Sequence, residues 1–166
     1  MYSSIDEFIK DWKSESEATI KIFKALSDES LRKGIKGYKR TIGDLAWHIT
    51  GSIGEIMRSA GFTTGAFDES DNEPETAERI AEDYKKYSDS LAEMISEEWS
   101  DAALKDKVNM FGEMWSKGKL LKVIVIHQIH HRAQITVLMR LTGLKVPGIY
   151  GPSYEEWEQY GMPPAK

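Results

Sequence analysis

The sequence predicts an all-α protein, a four-helix bundle with a short further helix near its C-terminal end. Four stretches carry apolar residues at spacings of three and four, which is the period of a helix with one buried face. No stretch shows the clear alternation of a strand, although residues 108–114 could form a short extended piece. We expect one domain over residues 1–166, the whole sequence. Four helices with one apolar stripe each pack naturally as a bundle.

The first two helices are marked by apolar spacing and by an N-terminal signal. The first runs from about Ser4 to Leu26. The second opens at Thr41, with Asp44 three residues later as a capping-box partner, and ends near Gly61. The residues predicted to face the core are Ile5, Phe8, Ile9, Trp12, Thr19, Ile22, Phe23 and Leu26 in the first helix, and Ile42, Leu45, Ile49, Ile53 and Ile56 in the second.

The third and fourth helices are bounded by proline, serine and glycine. The third starts near Pro74, a residue that suits the first turn of a helix, and continues to about Met94. The fourth runs from about Ser116 to Leu141, after which Gly143 can supply a left-handed cap. Their apolar stripes consist of Ala77, Ile80, Tyr84, Tyr87, Leu91 and Met94 in the third helix, and Leu120, Ile124, Ile135 and Leu138 in the fourth.

A long polar connection, residues 61–73, joins the second helix to the third. When extended it reaches about 40 Å, which is more than the roughly 30 Å length of a twenty-residue helix. The chain can therefore return along the bundle, and this length permits the second and third helices to be parallel.

The C-terminal tail, residues 144–166, is too apolar for a simple disordered end, and we expect it to pack on the bundle. Ser153 followed by Glu156 forms a capping box, which predicts a short helix through about Tyr160. Trp157 and Tyr160 would dock this helix on one end of the bundle.

Charge and composition exclude several classes of protein. The net charge of -5 argues against general nucleic-acid binding, which requires a basic face. The chain has no cysteine, so a metal would be bound through nitrogen or oxygen. Charged residues interrupt the N-terminal segment, so we expect neither a signal peptide nor a membrane span, and a cytoplasmic protein is the default.

One local stretch of this acidic chain is basic. Residues 31–40 contain the cations Arg32, Lys33, Lys36, Lys39 and Arg40. Two interpretations remain open for them. They form either a solvated loop or a basic lip that attracts an anionic substrate.

Three of the chain's 4 histidines lie in one run of the fourth helix, and its ends, His127 and His131, are four residues apart. On a helix this spacing stacks the two rings, with Cβ atoms about 5–6 Å apart, so that both could bind one metal ion. Both lie at the centre of the apolar stripe, whereas His130 lies on its flank. The pair could also be two core histidines that bond to neighbouring helices. The remaining histidine, His48, lies on the second helix.

The fourth helix has a second apolar side, made by Val125, Ile126, Ile129 and Val137. A helix that is apolar nearly all round is either the most enclosed in its bundle or pairs with another subunit. A homodimer is therefore one of the two explanations of this pattern.

Several of these motifs together resemble the DinB/YfiT-like family. The resemblance rests on Leu45-Ala46-Trp47-His48-Ile49, on the run from His127 to Ile135, on Leu141-Thr142-Gly143 and on residues 150–157. It spans nearly the whole chain. Its most specific feature is a lone histidine on the second helix combined with His-x3-His and Arg-x-Gln on the fourth, and the chain departs from many members in having Ala133 in place of glycine.

This resemblance implies a bundle of up-down-down-up type and a divalent metal, nickel, zinc or iron, held by His48, His127 and His131. It also implies a homodimer and, in some relatives, activation of a low-molecular-weight thiol that is transferred to an electrophile. Three neutral imidazoles leave coordination positions open, which is typical of catalytic rather than structural sites. Because the chain has no cysteine, such a reaction would need a free thiol as cosubstrate.

Two classes of function therefore remain open. The first is a divalent-metal-dependent enzyme with a small-molecule substrate, either a thiol transferase acting on an electrophile or a hydrolase. The second is a non-catalytic metal-binding or stress-associated bundle that acts through association with a partner. Near the metal, Gln134 would orient a ligand or make a packing hydrogen bond, whereas His130 and Arg132 are expected beside the ligands or at an interface.

Overall fold

Five helices and a small hairpin make up most of the chain that the computed structural model describes, residues 1–63 and 74–163. Four of the helices are long, which confirms the predicted all-α bundle. The helices are α1 (Ile5–Phe23), α2 (Asp28–Leu31), α3 (Ile42–Ser59), α4 (Ala77–Glu98) and α5 (Lys117–Leu141).

The predicted extended piece is the hairpin of β1 (Lys107–Met110) and β2 (Glu113–Ser116). The two strands are antiparallel, and Lys107 lies opposite Ser116. Because β2 ends where α5 begins, the hairpin leads directly into the helix that carries three of the histidines. In the described ranges, no helix combines the length and the apolar character needed to cross a bilayer.

Each long helix packs on two neighbours: α1 lies against α4 and α5, and α3 lies against the same two helices. Helices α1 and α5 run parallel. Near their starts the ammonium of Lys122 lies 5.6 Å from the ring centre of Tyr2, and further along both helices Arg132 pairs with Glu15.

Two further pairs of packed neighbours, α3 with α4 and α1 with α4, fix the remaining directions. The chain just beyond the ends of α3 and α4 meets at Phe62 and Trp99, whose ring centres are 4.9 Å apart, so these helices are parallel. Helix α1 begins where α4 ends, because the Ile5 N–H donates to Asp101 at 2.7 Å. The bundle is therefore up-down-down-up, as the resemblance implied. Most of the predicted long connection lies outside the described residues.

Side-chain caps set the helix starts. The predicted capping box is confirmed: Thr41 N–H donates to Asp44 at 2.7 Å, and Asp44 N–H donates to the Thr41 hydroxyl at 3.1 Å. The start predicted at Pro74 is wrong, because Thr76 caps α4 by accepting from Arg79 N–H at 3.3 Å. The first helix also ends three residues earlier than predicted, at Phe23 rather than Leu26.

The predicted apolar stripes are mostly in the core, with one error on α5. Val125, assigned to an outward side of this helix, is only 3% exposed, whereas Ile126 and Val137 are 51% and 56% exposed. The outward apolar side is therefore narrower than predicted. A homodimer stays a prediction.

The tail forms less helix than predicted. Glu156 accepts from Ser153 N–H at 3.1 Å, but its own N–H donates to the Ser153 carbonyl at 3.0 Å instead of the hydroxyl. This geometry makes a tight turn, and only one 3₁₀ turn follows, Trp157–Tyr160. Tyr160 is 61% exposed and does not dock as expected. The tail contacts α1 elsewhere, through a 2.7 Å hydrogen bond from Lys21 to the Gly148 carbonyl.

Candidate metal centre

The structure brings together His48, His127 and His131. Helices α3 and α5 are packed neighbours, and the ring of His48 faces the two rings that α5 stacks one turn apart. Ring centres are 5.0 Å apart between His48 and His127, and 4.5 Å apart in the other two pairs. One nitrogen from each ring lies within 4.8 Å of the others, so the three could hold a single ion.

The position of the cluster at the edge of the core controls its protonation. Burial, together with the neighbouring imidazoles and the charge of Arg40, lowers the pKa of His48 to about 4. Burial and neighbouring positive charges likewise lower the pKa of His127 to about 4 and also lower that of His131. The three rings are therefore neutral at pH 7, which is the form that binds a metal.

Gln134 selects the tautomer of one ring. His131 Nδ1 lies 2.7 Å from Gln134 Oε1, and because a carbonyl oxygen can only accept, Nδ1 carries the proton. His131 Nε2 then has a free lone pair, and it lies 3.2 Å from His48 Nε2, inside the cluster. Of the two roles left open for Gln134, the structure supports the orientation of a ligand.

A second observation fits a metal at this place. His127 Nδ1 is buried, and among the described residues it has no hydrogen-bond partner. A buried polar atom without a partner is unfavourable unless something else satisfies the group. The neutral rings, the fixed tautomer and this unpaired nitrogen together suit a divalent ion bound by imidazoles.

Replacing Gln134 with leucine is expected to weaken metal binding by roughly 10–100-fold, because His131 loses the acceptor that holds its ring and tautomer. Titration calorimetry with zinc on metal-free protein measures this. Gln134→Glu keeps an acceptor oxygen and should stay near the wild-type affinity. Equal affinities for the leucine variant and the wild type would show that Gln134 does not orient His131.

The low pKa values of His48 and His127 also predict a pH dependence of stability in metal-free protein. In the unfolded chain these rings take up protons near the ordinary pKa of about 6.5, whereas in the fold they do so near about 4. The free energy of unfolding should therefore fall as the pH drops from about 6.5 to about 4. Urea unfolding across this range should show a smaller fall for His48→Gln than for the wild type. Identical pH profiles would contradict the assignment.

His130 is exposed and stands outside the cluster. Its Nε2 lies 3.2 Å from Gln134 Nε2, which donates to it. The ring centres of His130 and His131 are 4.9 Å apart, and the Gln134 amide is hydrogen-bonded to both rings. This agrees with the expectation that His130 lies beside the ligands.

The expectation for Arg132 is wrong, because its side chain is buried on the other side of α5. Only 3% of this side chain is exposed, and it pairs with Glu15 at 2.5 Å. It also donates to the Thr19 hydroxyl at 3.0 Å and to the Tyr150 hydroxyl at 2.5 Å. Arg132 therefore ties α5 to α1 and to the tail, away from the histidines.

Gln128 extends this buried polar network to α4. Its Oε1 accepts from the Thr19 hydroxyl at 3.2 Å and from the Tyr84 hydroxyl at 2.5 Å. Burial raises the pKa of Tyr84 to about 12, so this hydroxyl keeps its proton and donates it. In the sequence, the one signal for this network is that Gln128 and Arg132 are four residues apart between apolar positions. The helical pattern alone does not assign these two residues to a site.

The protein is thus a helical bundle with a histidine-only candidate metal centre between two of its helices. Comparison with protein families matches the DinB family over residues 1–164. The chain belongs to the DinB family, which confirms the family that its motifs resemble.

Relatives from two Bacillus species agree with this membership. The chain is 40% identical over 162 residues to "Uncharacterized protein YrdA" of Bacillus subtilis (strain 168), covering 98% of this chain and 97% of the relative. The crystal structure of a DinB-like protein from Bacillus cereus ATCC 10987 is similar at a TM-score of 0.81 and 37% identity, covering 90% of this chain and 100% of that one.

A more distant structure shares the fold alone. The DinB-like protein YjoA from Bacillus subtilis has a TM-score of 0.68 and 15% identity to this chain, covering 89% of it and 99% of YjoA. The bundle architecture is therefore retained at low sequence identity.

Proposed function

We propose that this chain is a divalent-metal-dependent enzyme that transfers a low-molecular-weight thiol to an electrophilic small molecule. His48, His127 and His131 would hold the metal. The observation that carries the proposal is the convergence of three neutral imidazoles, with one nitrogen of each within 4.8 Å of the others.

The donor set supports nickel, zinc or iron as the metal. Imidazole nitrogen suits these ions, whereas magnesium and calcium prefer oxygen. Three neutral ligands do not offset the charge of a divalent ion, and fewer than four protein ligands leave room for a substrate. When bound, the ion would act as a Lewis acid and lower the pKa of an incoming thiol.

The residues of the chain would prepare this site before a substrate arrives. Burial keeps the rings of His48 and His127 unprotonated at neutral pH, because their pKa is about 4. Gln134 holds the proton of His131 on Nδ1, so that Nε2 faces the cluster. No proton has to leave the His131 ring before it can bind a metal through Nε2.

The thiol has to come from outside the chain, which contains no cysteine. In the transfer, the sulfur gives its proton to solvent and forms a bond to an electrophilic carbon. A leaving group on that carbon departs with the electron pair of the bond that breaks. A cytoplasmic location belongs to this proposal, because thiols are kept reduced there.

The test is a matrix of thiols and electrophiles. Metal-loaded protein is incubated with cysteine, glutathione or coenzyme A, and with monobromobimane or chlorodinitrobenzene. We expect enzymatic conjugation with at least one thiol, lost with a chelator, restored by metal and absent in His131→Ala. Metal-dependent hydrolysis of esters without conjugation would indicate a hydrolase. Bound metal without either activity would indicate a non-catalytic bundle, and both results contradict thiol transfer.

A further inference from the structure

An open cavity of about 360 Å³ lies beside the histidine cluster, between α5 and the loop that precedes α3. Its size falls within the range of small-molecule sites. Gln134 lines this cavity and also bonds to His131, so one side chain separates the cavity from the cluster. The lining residues are Ile35 and Tyr38 from the loop, and His130, Ala133, Gln134, Val137 and Leu138 from α5.

The lining of the cavity is mainly apolar. Its polar groups are those of Tyr38, His130 and Gln134, all on side chains that also present carbon surface. An aromatic ring or a short aliphatic chain could therefore leave water on entering it. The ring or chain bound there would lie next to the histidine cluster.

The loop wall adds positive charge. Lys33 pairs with Glu29 at 3.3 Å, but within residues 1–63 and 74–163 no carboxylate pairs with the other four cations of the loop, Arg32, Lys36, Lys39 and Arg40. The Ile42 N–H donates to the Lys33 carbonyl at 2.9 Å and closes the loop at its base. Arg40 lies at the end of this loop, directly before Thr41, the N-cap of the helix that carries His48. It therefore lies where the loop wall joins α3.

We propose that this cavity binds the apolar body of an organic anion, and that Arg40 holds the anionic group of that molecule beside the histidine cluster. The guanidinium suits this role because its planar set of donors matches a carboxylate or phosphate. The anion would be one of the two reactants of the proposed thiol transfer, and only this last assignment rests on the proposed function.

A second copy of the chain fits the cavity less well. In a two-fold interface centred here, these four cations of both copies would face each other, and this juxtaposition of like charges is unfavourable. An anion instead neutralises the loop. The charge of the loop therefore favours the small anionic ligand over a subunit contact.

The test compares three probes that share one apolar body, namely phenylbutyrate, the neutral phenylbutyramide and the cationic phenylbutylamine. Calorimetry at low salt uses the full chain, both metal-free and zinc-loaded. We expect phenylbutyrate to bind metal-free protein about tenfold more tightly than the amide, and the amine to bind most weakly. Arg40→Gln should bring the carboxylate to the affinity of the amide and leave the amide unchanged.

Two further variants complete the experiment. Lys105→Gln removes an exposed cation at the opposite end of the bundle and should change no affinity. Val137→Trp fills the cavity and should weaken all three probes. Equal binding of the three probes, an Arg40→Gln variant without effect, or carboxylate binding that requires zinc and ignores Arg40 would each overturn the inference.

If a second copy of the chain occupies the cavity, the same variants give a different result. If no probe binds the wild type, and Val137→Trp converts a dimer to a monomer in sedimentation, the cavity is a subunit interface and the inference is wrong. Probe binding is measured without metal or thiol. A failure of thiol transfer would therefore leave a positive probe result intact, and a failure of probe binding would leave thiol transfer intact.

Discussion

Replacing His48 with alanine is expected to weaken the binding of a divalent metal by more than about 100-fold, beyond the range typical of residues that only support a ligand. His48 is the one member of the cluster that α3 supplies, so its loss leaves two nitrogens on a single helix. Titration of metal-free protein with zinc measures the affinity, and circular dichroism checks that the variant keeps its helices.

His130→Ala is the matched control for this experiment. It removes an imidazole from the same run of α5, but from an exposed position outside the cluster. The zinc affinity of this variant should stay within a few fold of the wild type, because the His130 ring contacts His131 and Gln134 but supplies no nitrogen to the cluster. Equal losses of zinc affinity in His48→Ala and His130→Ala would contradict the assignment of the metal to the three-histidine cluster.

The second large effect concerns stability. Glu15→Ala is expected to lower the free energy of unfolding by about 3–5 kcal/mol, because it leaves the guanidinium of Arg132 buried without its carboxylate. The two side chains are 13% and 3% exposed and lie 2.5 Å apart, so water replaces little of the lost interaction. Urea unfolding at neutral pH measures the change.

Two controls separate the ion pair from other effects of the substitution. Glu17→Ala removes an exposed carboxylate from the same helix and should cost at most about 0.5 kcal/mol. The double variant Glu15→Leu with Arg132→Met replaces both charges by apolar groups and should recover most of the loss. A Glu15→Ala variant as stable as Glu17→Ala would refute a role for the buried pair.

The sequence predicted the helices well because their apolar periods reflect the core directly. It also predicted the stacking of His127 and His131, since an i, i+4 spacing on a helix determines that two side chains are neighbours. Joining His48 to this pair needed the family motif. Spacing within one helix contains no information about which face of another helix it meets.

The sequence did not predict the buried polar network around Arg132 and Gln128. Arg132 and Gln128 are polar, so composition favours placing them outside, and their burial is acceptable only because distant residues pair with them. Glu15 lies 117 positions from Arg132 in the chain. No local pattern identifies that partner before the helices are packed.

The start of α4 illustrates a conflict between two local signals. Pro74 suits a first helical turn, but Thr76 can accept from a helix N–H with its hydroxyl, and the helix begins after the threonine. Likewise, the length of the long connection permitted parallel helices without requiring them. The contact between Phe62 and Trp99 shows that α3 and α4 are parallel.

The most direct test of the metal centre is a crystal structure of zinc-loaded protein with anomalous diffraction data collected at the zinc edge. We predict one strong peak between α3 and α5, about 2.0–2.1 Å from a ring nitrogen of each of His48, His127 and His131. A fully occupied peak that lacks any one of these three ligands, or no peak between the two helices, would contradict the assignment.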